Sequence, residues 1–476
     1  MEIITQKREM LKNYSRSIYT FVLAILSFLL AYIIGIMRLP WFIQNDTLWL
    51  LKSGEYMVQN KTILMHDIYS WTMPGVHWYS HEWLWSVLFY AIYKHFGFAG
   101  LFWSNVVILA LILFVSYFVI ESTIGKVLFT ITSIIGWGLL YGFFVARALV
   151  LATLLLTLSV LVIIKRENLT RKHLLVLALM FVFWANIHSS VVFGVFLIGL
   201  FSLIKAIKTR EYVESAKTVA TVAIASLINP HHIKLYYFFY KLTTARVLTD
   251  HINEWLSPNF HNTLLLLLVL VWLVAFVVSI KQKQNLLDTL PFFILGLAMF
   301  LSALRNVVYM GLLLGIAFNG TKDDKKQEKR WFSVYIYLLI VTFMFSMNLN
   351  HLKLVDEKTM LEQEWAQVFK VVDYMQKNGY TDRVLNEYEF GAYMIFRGIK
   401  CAIDSRGDMY YLASPEFTKE YIESFLLQRA PDSLIKKLKA KYILAKSKDS
   451  LALYLKAKRY KVLYSDKYSI LFKVPE

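Results

Sequence analysis

Residues 18–37 read IYTFVLAILSFLLAYIIGIM, a run of twenty residues without a charged side chain. A helix needs about 20 apolar residues to cross the roughly 30 Å hydrocarbon core of a bilayer. Four basic residues within the first sixteen positions precede the run, and such a cluster favours the cytoplasmic side. A secretory signal begins in the same way, but no small-residue cleavage site follows Ile36. We therefore interpret the run as a membrane anchor that orients the later spans.

The composition of the whole chain also indicates a membrane protein. Of its 476 residues, 57% are hydrophobic and only 18% are charged, whereas about a quarter are charged in a typical soluble domain. The net charge of +18 would suggest a nucleic-acid partner in a soluble protein. Here much of the basic charge lies in short clusters between apolar runs, so we expect a lipid bilayer and no nucleic acid as partner. The single cysteine, Cys401, excludes an internal disulfide.

Eleven apolar runs qualify as candidate membrane spans. They are residues 18–37, 99–120, 127–144, 147–164, 173–187, 190–206, 216–229, 262–280, 287–303, 305–319 and 331–348. The basic clusters between them are residues 165–172, 205–217, 281–283 and 322–330. These clusters and the N-terminus all fall on the cytoplasmic side if residues 83–94 lie along the membrane surface instead of crossing it. The sequence thus predicts a multi-pass α-helical cell-membrane protein of about eleven spans, with a large first outer loop at 38–98.

The chain changes character after about residue 350, where apolar runs shorten and charged residues return. Strand-like segments alternate there with amphipathic helices. The predicted strands are residues 441–445, 460–464 and 469–474, and the predicted helices are residues 363–377 and 415–428. We therefore predict a transmembrane domain over residues 1–349, followed by a small extracytoplasmic α/β domain over residues 350–476.

A polar turn, Asp404-Ser405-Arg406-Gly407-Asp408, follows a predicted short strand at residues 401–403. It allows two interpretations. The turn contacts an acceptor or the membrane part of the site, or Arg406 pairs with Asp404 or Asp408 and only holds the loop in shape. We favour the structural interpretation, because the spacing matches no catalytic arrangement.

Most unusual polar residues of the membrane part fall on the outer side in this topology, in the first outer loop, in a second loop at 230–261 and in short turns. Ionisable groups near bilayer depth are costly and tend to face a cavity, so each is a functional candidate. The topology was built only from run lengths and Lys/Arg clusters. The gathering of polar residues on one side is therefore separate support for an outward-facing active site.

The candidate catalytic carboxylates are Asp46, Asp67 and Glu82 in the first outer loop. Asp46 lies about nine residues after the first span, where a carboxylate can act as a general base or help to hold a divalent cation. Each has a structural alternative. Asp46 could cap a helix or form a surface salt bridge, Asp67 could belong to a turn, and Glu82 could serve the first turn of a helix at 83–94.

The candidate substrate-binding residues are His81, Arg147, His188, His231 and Arg305. A guanidinium at the membrane surface can bind phosphate oxygens with two hydrogen bonds, but a long basic side chain near a helix end can also simply reach water. His188 can equally belong to a polar turn with Asn186. His231 and His232 have no partners at the spacing of a zinc motif, so we expect no structural metal there.

Several stretches together resemble a known family. They are HDIYSWT (66–72), HEWLW (81–85), the Arg147-Ala148 helix start, WANIHSSVVFG (184–194), INPHH (228–232) and the C-terminal stretch 386–411. With the early Asp46, these stretches resemble bacterial membrane proteins of the GT-C glycosyltransferase superfamily, enzymes related to protein O-mannosyltransferases and aminoarabinose transferases. The resemblance covers most of the chain, although no single motif is highly specific.

The resemblance implies an inverting sugar transfer from a polyprenyl-phosphate donor to an extracytoplasmic acceptor, such as a cell-envelope glycan, lipid or protein. It assigns Asp46 to the catalytic aspartate of the first loop. Many relatives carry two adjacent acidic residues there, whereas this chain has Asn45-Asp46. A bound divalent cation, Mg²⁺ or Mn²⁺, would then need Asp46 together with Asp67 or Glu82.

Two other function classes remain open. A transporter or flippase for a lipid-linked saccharide would show repeats and polar residues near mid-bilayer, and the sequence shows neither pattern. A non-catalytic envelope-assembly protein would depend on residues 350–476 and tolerate loss of Asp46. A polysaccharide polymerase is a variant of the glycosyltransferase hypothesis.

Overall fold

The computed structural model describes residues 2–139, 144–165, 169–250, 252–281, 286–319, 326–348 and 354–475. A helical region comes first. Its helices are α1 (Glu2–Arg38), α2 (Asn45–Asn60), α3 (Trp83–Val119), α4 (Thr123–Ser133), α5 (Ala148–Ile164), α6 (Arg171–Ile187), α7 (Val191–Thr209), α8 (Tyr212–Ser226), α9 (Lys234–Thr243), α10 (Arg246–Thr249), α11 (Thr263–Lys281), α12 (Leu286–Ser302), α13 (Val307–Ala317) and α14 (Lys326–Asn348).

A C-terminal region (residues 354–475) follows and combines short helices with a sheet. Its helices are α15 (Glu357–Leu361), α16 (Glu364–Gln367), α17 (Phe369–Asn378), α18 (Gly391–Phe396), α19 (Gly407–Ala413), α20 (Pro415–Phe425), α21 (Pro431–Leu438) and α22 (Ser450–Ala457). Its strands are β1 (Val384–Asn386), β2 (Tyr442–Lys446), β3 (Lys461–Ser465) and β4 (Ser469–Lys473).

Each of the eleven predicted spans overlaps a helix of the helical region. Among the described residues, three helical stretches are long and apolar enough to cross a membrane, namely Asn13–Trp41, Trp83–Val119 and Val191–Thr209. Shorter apolar helices accompany them. The apolar helices are compatible with a membrane protein, as the composition predicts. The number of crossings and their direction stay predictions.

Helix α3 consists of two pieces that meet at Gly97. The backbone there has φ 62° and ψ −160°, a conformation that glycine adopts without steric cost. The carboxylate of Glu357 accepts a hydrogen bond from the Ala99 N–H (3.0 Å) and so satisfies a donor at the start of the second piece. The segment 83–94, predicted to lie along the membrane surface, therefore belongs to the first piece and does not continue straight into the apolar run.

Helix α2 packs unusually closely against the start of α3. A Cβ added at Gly54 would lie 2.0 Å from the Ser86 carbonyl oxygen, so glycine is required at this crossing. The first loop (residues 39–82) contains α2 and leads directly into α3. The crossing therefore holds the middle of α2 against the first turns of α3.

The small C-terminal sheet predicted from the sequence is confirmed. Its order is β1-β2-β4-β3, with β1 parallel to β2 and the other neighbours antiparallel. The three predicted strands match β2, β3 and β4 to within a residue or so. Strand β1 is too short to show an alternating pattern. The predicted strand at 401–403 does not join the sheet, and Cys401 instead pairs with Ser70 of the first loop in an isolated bridge.

A buried ion triad connects the first loop to the C-terminal region. Arg406 Nη2 lies 2.7 Å from Asp67 Oδ1 and 2.6 Å from Asp404 Oδ2, and all three side chains are 0% exposed. The guanidinium also lies between the rings of Tyr69 and Trp78, at 5.1 and 4.9 Å from their centroids. The expectation that Arg406 pairs with Asp404 is met, and Asp67 is a second partner that the sequence did not indicate.

We expect Arg406→Leu to destabilise the protein by about 3–5 kcal/mol, because it would leave two buried carboxylates without a counter-charge. Lys441→Ala is the matched control, since its ion pair with Asp382 is exposed and should contribute less than about 1 kcal/mol. The measurement is the apparent melting temperature in detergent, together with protease sensitivity of the C-terminal region. Equal melting temperatures for the two variants would contradict a stabilising triad.

Cysteine labelling tests the predicted orientation. The native Cys401 is buried, so it should resist an impermeant maleimide in intact and in lysed cells. In Ser433→Cys the new thiol would be exposed on α21, and we expect it to react in intact cells. Thr209→Cys, beside a basic cluster, should react only after permeabilisation. The reverse pattern would invert the topology.

Candidate active site

A cavity of about 1470 Å³ lies between the helical region and the C-terminal region. Six of the eight predicted site residues line it. They are Asp46, His81, Glu82, Arg147, His188 and Arg305. Asp46 and Arg305, which are 259 positions apart in the sequence, thus line the same cavity.

The lining polar residues sit at helix ends. Asp46 is in the first turn of α2, and Glu82 directly precedes α3. Arg147 directly precedes α5, His188 directly follows α6, and Arg305 lies in a 3₁₀ turn just before α13. Helices α5 and α13 contain no charged residue, so the charged groups beside them lie before their first residues, and the fold gathers these helix ends around the cavity.

Four charged side chains form a continuous chain of ion pairs. Arg147 Nη2 lies 2.6 Å from Asp46 Oδ2, and Arg147 Nη1 lies 3.2 Å from Glu254 Oε2. Glu254 Oε1 in turn lies 3.2 Å from Arg305 Nη1, and the Arg305 guanidinium stacks 4.5 Å from the centroid of the Trp255 ring. One carboxylate, Glu254, therefore bridges two guanidinium groups, and its Oε1 accepts from Arg305 Nη1 and also, at 3.4 Å, from Arg147 Nη1.

Glu254 is the member of this network that sequence reasoning missed as a site residue. Burial alone would raise its pKa, but Arg147 and Arg305 lower that pKa below the usual value for glutamate. The carboxylate is therefore ionised at neutral pH. In the sequence, Glu254 is an acidic residue beside a tryptophan in the second loop. Such a pair is common on protein surfaces and does not single out a site residue.

A second polar cluster contains Glu82 and two histidines. Glu82 Oε1 lies 3.2 Å from His188 Nε2 and 3.8 Å from His81 Nε2. The Ser190 N–H donates to His188 Nδ1 (3.0 Å), so the proton of the neutral His188 ring is on Nε2 and faces Glu82. His81 Nδ1 lies 3.2 Å from the Tyr79 carbonyl, which leaves its Nε2 lone pair toward Glu82.

Burial controls protonation in this cluster. It raises the pKa of Glu82 to about 7, against the partial opposition of Arg147. Burial, reinforced by His81, lowers the pKa of His188 well below its usual value. Near neutral pH the cluster thus holds a neutral histidine and a carboxyl group that exchanges its proton easily, in contrast to the permanently charged chain of ion pairs beside it.

The two clusters differ in how well they suit a metal ion. Asp46 Oδ2 is taken by Arg147 and Oδ1 lies 3.2 Å from Trp49 Nε1, so both oxygens already meet donors, and a cation at Asp46 stays a prediction. His81, Glu82 and His188 have ligand atoms within 4.8 Å of one another, a donor set that suits zinc or manganese. Binding there would require the His188 Nε2 proton to leave.

Two predicted site residues lie elsewhere and have structural contacts. Asp67 belongs to the buried triad and also accepts hydrogen bonds from the Ser70 N–H and hydroxyl, at 2.9 and 2.6 Å. His231 is buried against the Tyr79 ring, with centroids 5.2 Å apart, and burial lowers its pKa to about 4. Neither is among the residues that line the cavity.

The polar turn that contains Asn186 makes structural contacts, as one of the two interpretations predicts. The Asn186 side-chain oxygen accepts a hydrogen bond from Trp83 Nε1 (2.9 Å), and Asn186 Nδ2 donates to the Ile228 carbonyl (2.8 Å). This amide therefore ties α3, α6 and the segment after α8 together. The tie holds His188 in place beside Glu82.

The C-terminal region supplies one wall of the cavity, called here the C-terminal wall. Its lining residues include Trp365, Tyr388, Glu389, Tyr393, Ser405, Asp408 and Lys446. The Trp49 indole N–H lies 3.0 Å from Ser405 Oγ as well as 3.2 Å from Asp46 Oδ1. Asp46 therefore sits where the helical wall meets the C-terminal wall, a position that no local sequence pattern indicates.

Comparison of the chain with models of known protein families and with curated proteins finds no match.

The Glu82 carboxyl predicts a pH-dependent stability. The folded protein holds this proton more tightly than the unfolded chain, so the stabilising contribution is complete below about pH 4.5 and is lost as the pH rises through about 7. We expect the melting temperature of Glu82→Gln, relative to the wild type, to rise by about 2–4 °C between pH 5 and pH 8.

The measurement is thermal unfolding of the detergent-purified protein at both pH values. Glu55→Gln is the matched control, because Glu55 is a partly exposed carboxylate paired with Lys52 on α2. The melting temperature of Glu55→Gln should change with pH as that of the wild type does. A Glu82→Gln curve that runs parallel to the wild type would show that burial does not hold a proton on Glu82.

Proposed function

We propose that this protein is a membrane glycosyltransferase that moves a sugar from a polyprenyl-phosphate donor to an extracytoplasmic acceptor, as the GT-C resemblance implies. The observation that carries the proposal is the pair of guanidiniums, Arg147 and Arg305, bridged by one carboxylate beside Asp46 at the ends of apolar helices. This arrangement supports the proposal because it combines a candidate anion site with a candidate base.

The bridged arginines suit a lipid phosphate. Both present N–H groups to the Glu254 carboxylate, and a phosphate can accept the same hydrogen bonds with more charge. Apolar side chains such as Leu139, Phe193 and Met299 line the same cavity, so a lipid chain would have an apolar surface beside the phosphate. In this proposal the donor phosphate displaces Glu254 from the arginines.

Sugar transfer needs two kinds of help that these residues can provide. The acceptor hydroxyl attacks the anomeric carbon, a new C–O bond forms, and the bond from that carbon to the phosphate oxygen breaks. The leaving polyprenyl phosphate gains negative charge, which Arg147 and Arg305 stabilise. The hydroxyl proton passes to a carboxylate, and Asp46 is the candidate base. A single displacement of this kind inverts the anomeric configuration.

Arg147 occupies Asp46 Oδ2, which lies 2.6 Å from its Nη2. A donor phosphate that attracts Arg147 weakens this pair, and Asp46 Oδ2 then becomes available to the acceptor hydroxyl. Donor binding would thus prepare the base. Glu82 is the second candidate base, since its pKa of about 7 matches proton transfer near neutral pH.

The alternative functions share part of this geometry. A flippase for a lipid-linked saccharide would use the same anion site but would not need a carboxylate near an acceptor. A non-catalytic envelope protein would need neither. The sugar-transfer activity of the wild type and of Asp46→Asn distinguishes a glycosyltransferase from these alternatives.

We expect Asp46→Asn to lower sugar transfer by at least about 100-fold, because the amide cannot accept the hydroxyl proton. Release of polyprenyl phosphate from a panel of synthetic polyprenyl-phosphate sugars, in proteoliposomes containing envelope glycans, measures transfer. Donor binding should stay within a few-fold, since both arginines remain. Glu55→Gln, on the same helix but outside the cavity, should keep full activity. Full transfer by Asp46→Asn would remove Asp46 from the mechanism.

The pH profile distinguishes the two candidate bases. If Glu82 is the base, the wild-type rate rises with pH through about 7 and Glu82→Gln is inactive. If Asp46 is the base, Glu82→Gln retains transfer. No transfer by the wild type with any donor of the panel would contradict the proposed function.

A further inference from the structure

The C-terminal wall contains two buried polar atoms that have no hydrogen-bond partner among the residues the structure describes, namely the Trp365 indole nitrogen and Asp408 Oδ2. Both residues line the cavity, and Trp365 is only 6% exposed. An unpaired buried donor or carboxylate oxygen is costly, and such groups in native proteins usually have a role. One is a donor and the other an acceptor, which matches a ligand that carries hydroxyl groups.

Aromatic rings accompany these two atoms. Tyr388, Phe390 and Tyr393 line the same wall. Tyr388 is held by the hydrogen bond from its hydroxyl to the Ser405 carbonyl (3.0 Å), so its ring is fixed on the wall. Flat, fixed rings with a few polar groups between them form the usual surface for a cyclic, polyhydroxylated ligand. A saccharide has both features, because its ring faces are apolar and its edges carry hydroxyls.

The Asp408 carboxylate of the wall disfavours an acidic ligand. Three carboxylates, Glu364, Glu389 and Asp408, line the wall. Lys446 lies 2.7 Å from Glu389 and Lys467 lies 3.6 Å from Glu364, so lysines partly compensate these two charges. Burial raises the pKa of Asp408 to about 6, so this carboxyl is mostly ionised at neutral pH and would repel a uronic acid or a phosphate. A neutral saccharide meets no such repulsion.

The position of Asp46 separates two binding surfaces. Its Oδ2 faces Arg147 and hence the proposed phosphate site, whereas its Oδ1 faces Trp49, which contacts Ser405 of the C-terminal wall. A base in a transfer reaction must lie between donor and acceptor. If the arginines hold the donor, the C-terminal wall is where the acceptor lies.

We propose that the C-terminal wall binds the acceptor and that this acceptor is a saccharide without acidic groups, recognised by Asp408 and the Trp365 N–H. The role of the bound saccharide as acceptor rests on the proposed function. The saccharide site itself does not depend on catalysis. Asp408 accepts hydrogen bonds from sugar hydroxyls, and Trp365 donates one to a sugar oxygen.

The test measures saccharide binding by the full chain in detergent. The probes are two neutral tetrasaccharides, of glucose and of N-acetylglucosamine, and the acidic tetragalacturonate, each followed by saturation-transfer NMR and calorimetry. We expect at least one neutral probe to bind and tetragalacturonate to bind at least about 10-fold more weakly. Equal or tighter binding of tetragalacturonate, or no binding of either neutral probe at about 10 mM, would overturn the proposal.

Variants locate the site. Asp408→Asn should weaken binding of the neutral probe by about 10-fold, since it removes a charged acceptor. Trp365→Phe keeps a packed ring and removes only the N–H, so it remains informative if Asp408→Asn fails to fold, and it should weaken binding by about 3–10-fold. Glu416→Gln, an exposed carboxylate on α20, is the control and should bind as the wild type does. Wild-type affinity in both wall variants would overturn the assignment.

Asp46→Asn keeps this inference separate from the proposed function. It should bind the neutral probe with unchanged affinity while it loses transfer. Saccharide binding that depends on Asp408, in a protein that never transfers sugar, would contradict the proposed function and leave the saccharide site. Transfer whose acceptor KM is the same in the wild type and in Asp408→Asn would contradict the acceptor site and leave the proposed function.

Discussion

The buried ion triad of Asp67, Arg406 and Asp404 is the constraint on which the cavity depends. A charge without a counter-charge in a protein interior is strongly destabilising, so the three groups must meet in one place. Asp67 belongs to the first loop and Arg406 to the C-terminal region, and their contact joins the two regions. Ser405 directly precedes Arg406, and Asp408 lies two positions after it. The same contact therefore positions the C-terminal wall opposite Asp46.

Two kinds of electrostatic environment lie side by side in the cavity. In one, Glu254 and its two arginine partners stay ionised because opposite charges stand within about 3 Å of each other. In the other, burial outweighs the attraction of Arg147 and leaves the Glu82 carboxyl able to gain and lose a proton near pH 7. A reaction that transfers a proton while charge develops on a phosphate needs both a fixed field and a mobile proton, and this cavity contains the groups for each.

Much of the fold was predictable because apolar length and alternation are local properties. Each predicted apolar run overlaps a helix, and three of the four strands follow from alternating residues. The predictions failed where a feature is short or depends on a distant partner. Strand β1 has only three residues, and Cys401 pairs with Ser70 in the first loop instead of extending a strand. Asp67 looked catalytic because its partner, Arg406, is 339 positions away in the sequence.

By itself the sequence determined that the protein is rich in apolar helices, that its unusual polar residues lie in the loops and turns between apolar runs, and that a small sheet follows. These properties depend on neighbouring residues, since hydrophobic length and periodicity decide them. Only the tertiary structure decided which ends meet, that Glu254 bridges the two arginines, and that Ser405 and Asp408 face the same cavity as Asp46. The physical reason is that ion pairing and desolvation depend on three-dimensional distance, which separation along the chain does not encode.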